Sequence, residues 1–369
     1  MRARLMCAVL AAGALFAVAG GGATLSLCDY VSPETSLSHM SLSFAYRYYE
    51  GAFGTDTDVN AGKLRLDYGD LRDTGDFGYT LEAFGELSLQ NLRIASGLGD
   101  ARGTLRFYLE GERPLFAFGG AHLYMETGDA SPGLQVNVGL GYGRFSDVTP
   151  LARAMRIEKM LLSRGSLKVP LSESVLMAMA KEIGRGAEYA TVAELVDVLV
   201  KSVQNAAGVL LDPRVVLAVE DQVLVAGARR YCGWAAQIGI GYTVADPLDG
   251  PRDFLVTGEF DMALAPEEAS QILLRARLSG PIDIFNTHRL GLSVSYENAL
   301  GPASALNARL SATRVQVAGA EARTSLSASL GWSVTVGMTA LSVQLTLAYP
   351  AGAVRVSKDI SVSVVMALQ

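Results

Sequence analysis

Histidine, cysteine and paired charges are the residues from which a catalytic or metal site would be built, and this 369-residue chain has few of the first two. The histidines are His39, His122 and His288, and the cysteines are Cys7, Cys28 and Cys232. None stands at zinc or haem ligand spacing, so neither a metal site nor a cofactor is expected. A Ser-His-acid triad needs a histidine within hydrogen-bond reach of its serine. The G-x-S-x-G elbow that would present such a serine does not occur. No catalytic residue is therefore expected, and the chain reads as a non-enzyme. Gly139, Gly141 and Gly143 resemble a phosphate loop only superficially, because they lack its lysine and its spacing. They read as strand glycines.

The charged residues follow a clearer rule. Lys63, Arg65, Asp67, Glu82, Glu86, Arg106 and Glu110 alternate with apolar neighbours such as Leu64, Leu66, Leu81, Leu87, Leu105 and Leu109. Arg275, Arg277 and Arg309 do the same later in the chain, among Ser, Thr, Gly and Gln. A period of two puts one set of side chains on each face of a strand. If the polar faces line a lumen, two readings stay open. One is a water-filled pore whose charged wall biases which solutes cross; the other is a narrow barrel whose interior charges pair with one another.

The elements that must position these residues divide the chain into blocks. From Met40 to Arg144 the period is two, broken by turn clusters at 73–76, 111–114 and 128–133. It then switches to helical spacing. Thr149-Pro150 predicts an N-cap with proline at the first helical position, and Gly165 a stop. Ser172 to Gly184 predicts a second helix, and Thr191 with Glu194 a capping box that opens a third. Asp212-Pro213 starts a fourth that fades near Ala228. Met155, Met160, Met177 and Met179 sit at helical spacing and read as core, with a partner-binding groove as the alternative. From Arg230 onward the period returns to two and persists to the C-terminus.

The N-terminus has basic Arg2 and Arg4, an uncharged apolar stretch from Leu5 to Ala19, then small residues through Ala23. This pattern predicts a signal peptide over 1–23, with cleavage after Ala19 or Ala23; the apolar stretch is short for the ~20 residues of a spanning helix. Leu27 is too bulky for a lipoprotein box at Cys28, so lipidation is not expected. Export would place Cys28 and Cys232 in an oxidising compartment. One reading staples them as a disulfide; the preferred one leaves them as two unrelated small apolar residues. Hydrophobic residues make up 50% of the chain and charged ones 18%, which is too apolar for disorder. A net charge of -6 with no Lys/Arg-rich run excludes a nucleic-acid partner.

The alternating runs are long for soluble sheets, follow one another as hairpins, and carry aromatics near their ends at Tyr46, Tyr48, Tyr49, Tyr142, Phe145, Tyr242, Tyr296 and Tyr349. In these respects residues 40–145 and 230–369 resemble the outer-membrane β-barrel proteins of diderm bacteria. The resemblance implies a mainly β chain: an antiparallel up-and-down transmembrane barrel of about 14 strands, with a four-helix insert after about strand 6. Outer loops are expected to be short, as at 279–281 and 337–339. The expected division is signal peptide 1–23, first half-barrel 24–146, helical insert 147–229 and second half-barrel 230–369. An even strand count before the insert puts it on the side where the chain began, as a periplasmic gate or a plug. The implied function is a passive pore in outer-membrane lipid. The alternative is a non-conducting envelope protein whose residues 147–229 dock a periplasmic or peptidoglycan-associated partner, and a soluble β-sandwich is a third possibility. The oligomeric state is left open.

Overall fold

The computed structural model describes residues 25–367, apart from 33–34, 50–58, 111–112, 225–228, 248–251, 302, 337–338 and 353–354. The expected signal peptide, 1–23, lies outside the described residues, as does the side chain of Glu110.

Six strands precede the helices: β1 (Thr35–Tyr49), β2 (Val59–Asp73), β3 (Phe77–Gln90), β4 (Arg93–Glu110), β5 (Arg113–Glu126) and β6 (Gly133–Asp147). Four helices follow: α1 (Thr149–Ser163), α2 (Glu173–Gly184), α3 (Val192–Ala207) and α4 (Pro213–Leu224). Eight more strands complete the chain: β7 (Tyr231–Ala245), β8 (Phe254–Leu264), β9 (Ser270–Pro281), β10 (His288–Gly301), β11 (Ser304–Gln316), β12 (Arg323–Val336), β13 (Thr339–Tyr349) and β14 (Ser357–Ala367). Every strand pairs antiparallel with its sequence neighbours, and β6 pairs with β7 across the helices. The order closes on itself where β1 meets β14, through a seam of four residue pairs from Ser41↔Ala367 to Phe44↔Val364. A single sheet that closes this way has no second sheet to pack against, which removes the β-sandwich reading.

The rims differ. On the side of the helices the turns between strands are two to five residues long. On the far side the connections run six to nine residues, apart from the two-residue turn 91–92. Two expectations about loops change accordingly. Residues 279–281 are the end of β9, with the loop at 282–287, and the turn after β12 lies on the helix side rather than the outer one.

The helices form the main dry core. Leu151, Ile157, Leu161, Met179, Leu199 and Val203 are fully buried there, and Met155, Met160 and Met177 pack against them. The methionines are thus core. Leu27 and Tyr30 enter this core from the N-terminal segment and Ala265 enters from the β8–β9 turn, fastening it to the rim. Cys28 and Cys232 are joined as a disulfide, contrary to the preferred sequence reading.

The helix caps are partly as predicted. Thr191 accepts from the Glu194 N–H, and Gly208 ends α3 at φ 65° in the left-handed region. Asp212 caps α4 by accepting from the Arg214 N–H. The start of α1 differs from expectation. Asp147, not Thr149, receives the helix N–H, at 2.9 Å from Thr149 N. The Thr149 hydroxyl instead accepts from the Arg230 N–H at 2.8 Å, and Val148 N–H donates to the Arg230 carbonyl, also at 2.8 Å. These bonds tie the two connections between barrel and helices into one neck.

Candidate functional site in the barrel lumen

An ion pair between two distant strands defines which face points inward. Arg275 Nη2 on β9 lies 3.2 Å from Glu82 Oε1 on β3. In the strand order β3 and β9 are six steps apart one way round and eight the other. Groups on such nearly opposite walls meet only through the interior. Register then carries that parity to every strand. Arg65 faces Glu86 and Ser43 across β2, while Arg277 and Arg275 face Glu259 and Asp261 on β8. Arg309 faces Ser295 and Ser329.

The bridge also measures the lumen. Fourteen strands ~4.8 Å apart and tilted ~40° enclose a circle roughly 28 Å across. A Glu and an Arg side chain joined end to end by a 3.2 Å contact span only about 14 Å. The barrel is therefore oval at this level, pinched across β3 and β9. Five side chains build the pinch. Arg275 Nε binds Asp261 at 2.7 Å, Arg277 Nε binds Glu259 at 2.7 Å, and Arg277 Nη2 reaches Glu82 at 3.6 Å. Gln237 donates to the second Glu259 oxygen at 2.9 Å.

On one side of the pinch, between β4 and β8, the interior is filled. Phe116 is 0% exposed, and Phe118 and Tyr108 are also buried against it. Their rings fit because β6 and β7 carry glycine opposite them. A Cβ on Gly141 would lie 2.3 Å from the Phe116 ring, and one on Gly139 2.7 Å from Phe118. These close approaches explain the glycine run that superficially resembles a phosphate loop. Tyr108 donates to Asp73 at 2.8 Å, the Arg144 guanidinium lies 3.9 Å over the Tyr108 ring, and Arg106 lies 5.5 Å from the Phe116 centroid. Between this block and the pinch, Asp100 meets His122 Nε2 at 2.7 Å and Arg102 at 3.2 Å.

On the other side, bounded by β10–β14, β1 and β2, no buried aromatic block fills the interior among the described side chains. On β2 and β3 Lys63 pairs with Glu86 at 2.7 Å, and Arg65 pairs with Asp67 at 2.7 Å while lying 4.6 Å over Phe84. The wall from β10 to β13 presents hydroxyls and amides, including Ser311 and Ser327 in mutual contact at 2.7 Å. A recess of about 290 Å³ opens there beside Arg309.

Lys63, Arg65, Asp67, Glu82, Glu86, Arg106, Arg275, Arg277 and Arg309 thus sit on the inward face. The structure gathers them into separate groups and leaves Arg309 apart. As lumen-lining residues, sequence reading did not pick out Asp73, Asp100, Arg102, Arg144, Gln237, Glu259 and Asp261, and it weighed His122 only as a catalytic or metal-site histidine. The period of two in β8 was the available signal for Glu259 and Asp261; nothing local marks the others as partners.

At the helix-side rim, the buried Arg230 side chain donates to the Glu268 and Ala269 carbonyls and to Glu297 at 3.1 Å. Lys159 on α1 reaches Glu268 at 2.6 Å. Burial raises the Glu268 carboxyl, but the Lys159 hydrogen bond and nearby positive charge outweigh it and hold the group below its ordinary value. Burial also pulls Arg153 and Arg156 below the usual guanidinium value. Among the described residues no three potential ligands gather as a metal site.

No protein-family profile matches the chain, and no curated protein does. Among solved structures its neighbours include outer-membrane porins. It is similar to OpdK from Pseudomonas aeruginosa, at 8% identity over 91% of this chain and 98% of that one, TM-score 0.35. A BenF-like porin from Pseudomonas fluorescens Pf-5 aligns at 7% identity over 92% and 99%, TM-score 0.36. A mutant porin of Rh. blastica aligns at 9% identity over 91% and 100%, TM-score 0.29. At such scores the likeness carries no argument about function, and the architecture stands on the chain's own strand pairing.

Proposed function

We propose that the protein is a bacterial outer-membrane barrel that lets small polar solutes cross through the side of its lumen bounded by β10–β14, β1 and β2. The observation that carries this reading is the outward face. Val138, Ile238 and Ile240, near the middle of β6 and β7, are 67%, 66% and 60% exposed. Leu66, Leu81, Leu105, Leu290, Leu310, Leu330 and Leu345 continue the band around the barrel. Soluble monomers rarely expose apolar patches beyond a few hundred Å², and lipid is the solvent in which such a belt is stable.

Aromatic side chains edge the band on both sides. Phe77 and Phe107, Tyr142 and Trp234, and Trp332 lie toward the helix-side rim. Tyr242 with Phe254, and Tyr349, lie toward the far rim. Trp234 and Tyr242 are eight residues apart on β7. At ~3.3 Å per residue and ~40° tilt that is roughly 20 Å of height, close to the ~25 Å apolar band of such barrels. Short turns on one rim and longer loops on the other fit periplasmic turns and extracellular loops. The helices then lie on the periplasmic side.

The helical domain's bonds to the barrel fall on the rim, which supports a mouth cover over a plug. It acts in this reading as a fixed gate that narrows the exit. Full-length protein in planar bilayers should show stepwise conductance, and replacing residues 147–229 by a short linker should enlarge it. Absence of conductance in both forms, each shown folded by heat-modifiable gel migration, removes the pore. A docking role for the helices has Leu210, 92% exposed, and Leu217, 62% exposed, in its favour. Capture of a periplasmic protein by the full chain but not by the shortened one, without conductance, would support it.

A further inference from the structure

Among the described residues, charge pairing in the lumen leaves three inward-facing arginines over, Arg289 and Arg323 near the far rim and Arg309 midway along the wall. Lys63, Arg65, Arg102, Arg275 and Arg277 each meet a carboxylate, and Arg106 and Arg144 lie over aromatic rings. Arg309, halfway along β11, makes no ion pair, hydrogen bond or ring contact among the described residues. The one carboxylate among the described residues that borders the same recess, Glu297, is already held by Arg230 at 3.1 Å. What surrounds Arg309 is neutral and polar. Ser295 and Ser329 stand opposite it on the neighbouring strands, and Asn307, Gln344 and Gln271 complete the wall.

A guanidinium offers five donors in a planar fork that suits a carboxylate or phosphate two-on-two. Serine hydroxyls and side-chain amides both donate and accept, which suits solute hydroxyls. The recess, at about 290 Å³, falls at the lower end of small-molecule sites, so its occupant is small. From these features we infer that the recess around Arg309 is a binding site for a small monoanion carrying several hydroxyls, of the size and kind of a sugar acid. Arg309 holds the anionic group, and the hydroxyl and amide wall replaces the solute's hydration. The inference rests on the lumen being open to solutes, as proposed above, but its test does not require conduction.

The probe is sodium gluconate, with glucose as the neutral counterpart of the same size, measured by calorimetry on full-length protein in detergent micelles. Gluconate should bind more tightly than glucose, and Arg309→Gln should weaken gluconate at least about tenfold, the scale of a lost charged hydrogen bond, while leaving glucose unchanged. Arg309→Lys keeps the charge and should restore part of the affinity. Heat-modifiable migration of each variant shows that the barrel has folded. Gluconate binding that is undiminished in Arg309→Gln, or no stronger than glucose in the native protein, overturns the site. Bilayer recordings on the same preparations separate the two readings. Conductance without gluconate binding removes the site and keeps the pore, whereas binding without conductance keeps the site and removes the pore.

Discussion

Replacing Ile238 by arginine distinguishes lipid from water at the outer wall. Ile238 is 66% exposed, points outward, and lies midway between Trp234 and Tyr242 on β7. If that face met water, an exposed isoleucine could become arginine with a change within about 0.5 kcal/mol. At the midplane of a bilayer the same change costs ~2–4 kcal/mol and falls to ~0–1 near the interface. Ile238→Arg should therefore lose ~2–4 kcal/mol, while Val244→Arg, one residue from the end of β7, should lose about 1 or less. Thr313→Arg, on the inward face of β11, should stay within about 0.5 kcal/mol because its side chain meets a wet lumen. Stabilities are read from denaturant titrations of protein folded into phosphatidylcholine vesicles, as the midpoint shift at constant slope. Equal stability for Ile238→Arg and the native chain, or equal losses at 238 and 313, would refute the lipid-facing assignment.

Three further outcomes follow from the interior. Glu82→Ala cuts the pinch while Arg275 keeps Asp261 and Arg277 keeps Glu259, so conductance should rise at a stability cost of under ~1 kcal/mol; unchanged single-channel current would mean the pinch lies off the solute path. Reducing the Cys28–Cys232 disulfide frees a loop spanning a sequence separation of 204, worth at most about 5 kcal/mol by chain entropy. The loss should appear as earlier unfolding of the helices in circular dichroism with reductant, and an unchanged transition would count against the staple. Gly141→Val puts a Cβ 2.3 Å from the Phe116 ring and 2.8 Å from the Ala236 carbonyl, so it should destabilise the barrel by roughly 1–3 kcal/mol or prevent folding. Native-like heat-modifiability and stability would contradict that packing.

Local pattern made much of the architecture legible. A period of two with turn clusters exposes strands such as β6, where Val136, Val138 and Leu140 alternate with Gln135, Asn137 and Gly139, because each side chain answers to its own face. Cap chemistry likewise located α3 at Thr191 and α4 at Asp212. What stayed hidden depends on closure. Glu82 and Arg275 meet across 193 residues, and Cys28 and Cys232 across 204, and no local spacing encodes either contact. Thr149 shows the same limit within a helix signal. Its hydroxyl has a partner only because Arg230 returns to the neck, leaving the capping to Asp147. The inward charges could be named from alternation, but which of them neutralise one another, and that Arg309 does not, emerges only from the folded wall.

The chain has two tryptophans, Trp234 and Trp332, and both point outward near the helix-side rim, 45% and 47% exposed. Their fluorescence in vesicles containing brominated lipids tests most directly whether the barrel wall is immersed in a bilayer. Bromine near the head of the acyl chains should quench both tryptophans strongly, bromine near the chain ends should quench them less, and aqueous iodide should reach them poorly. Strong quenching by iodide with none from brominated lipid would show that this wall faces water.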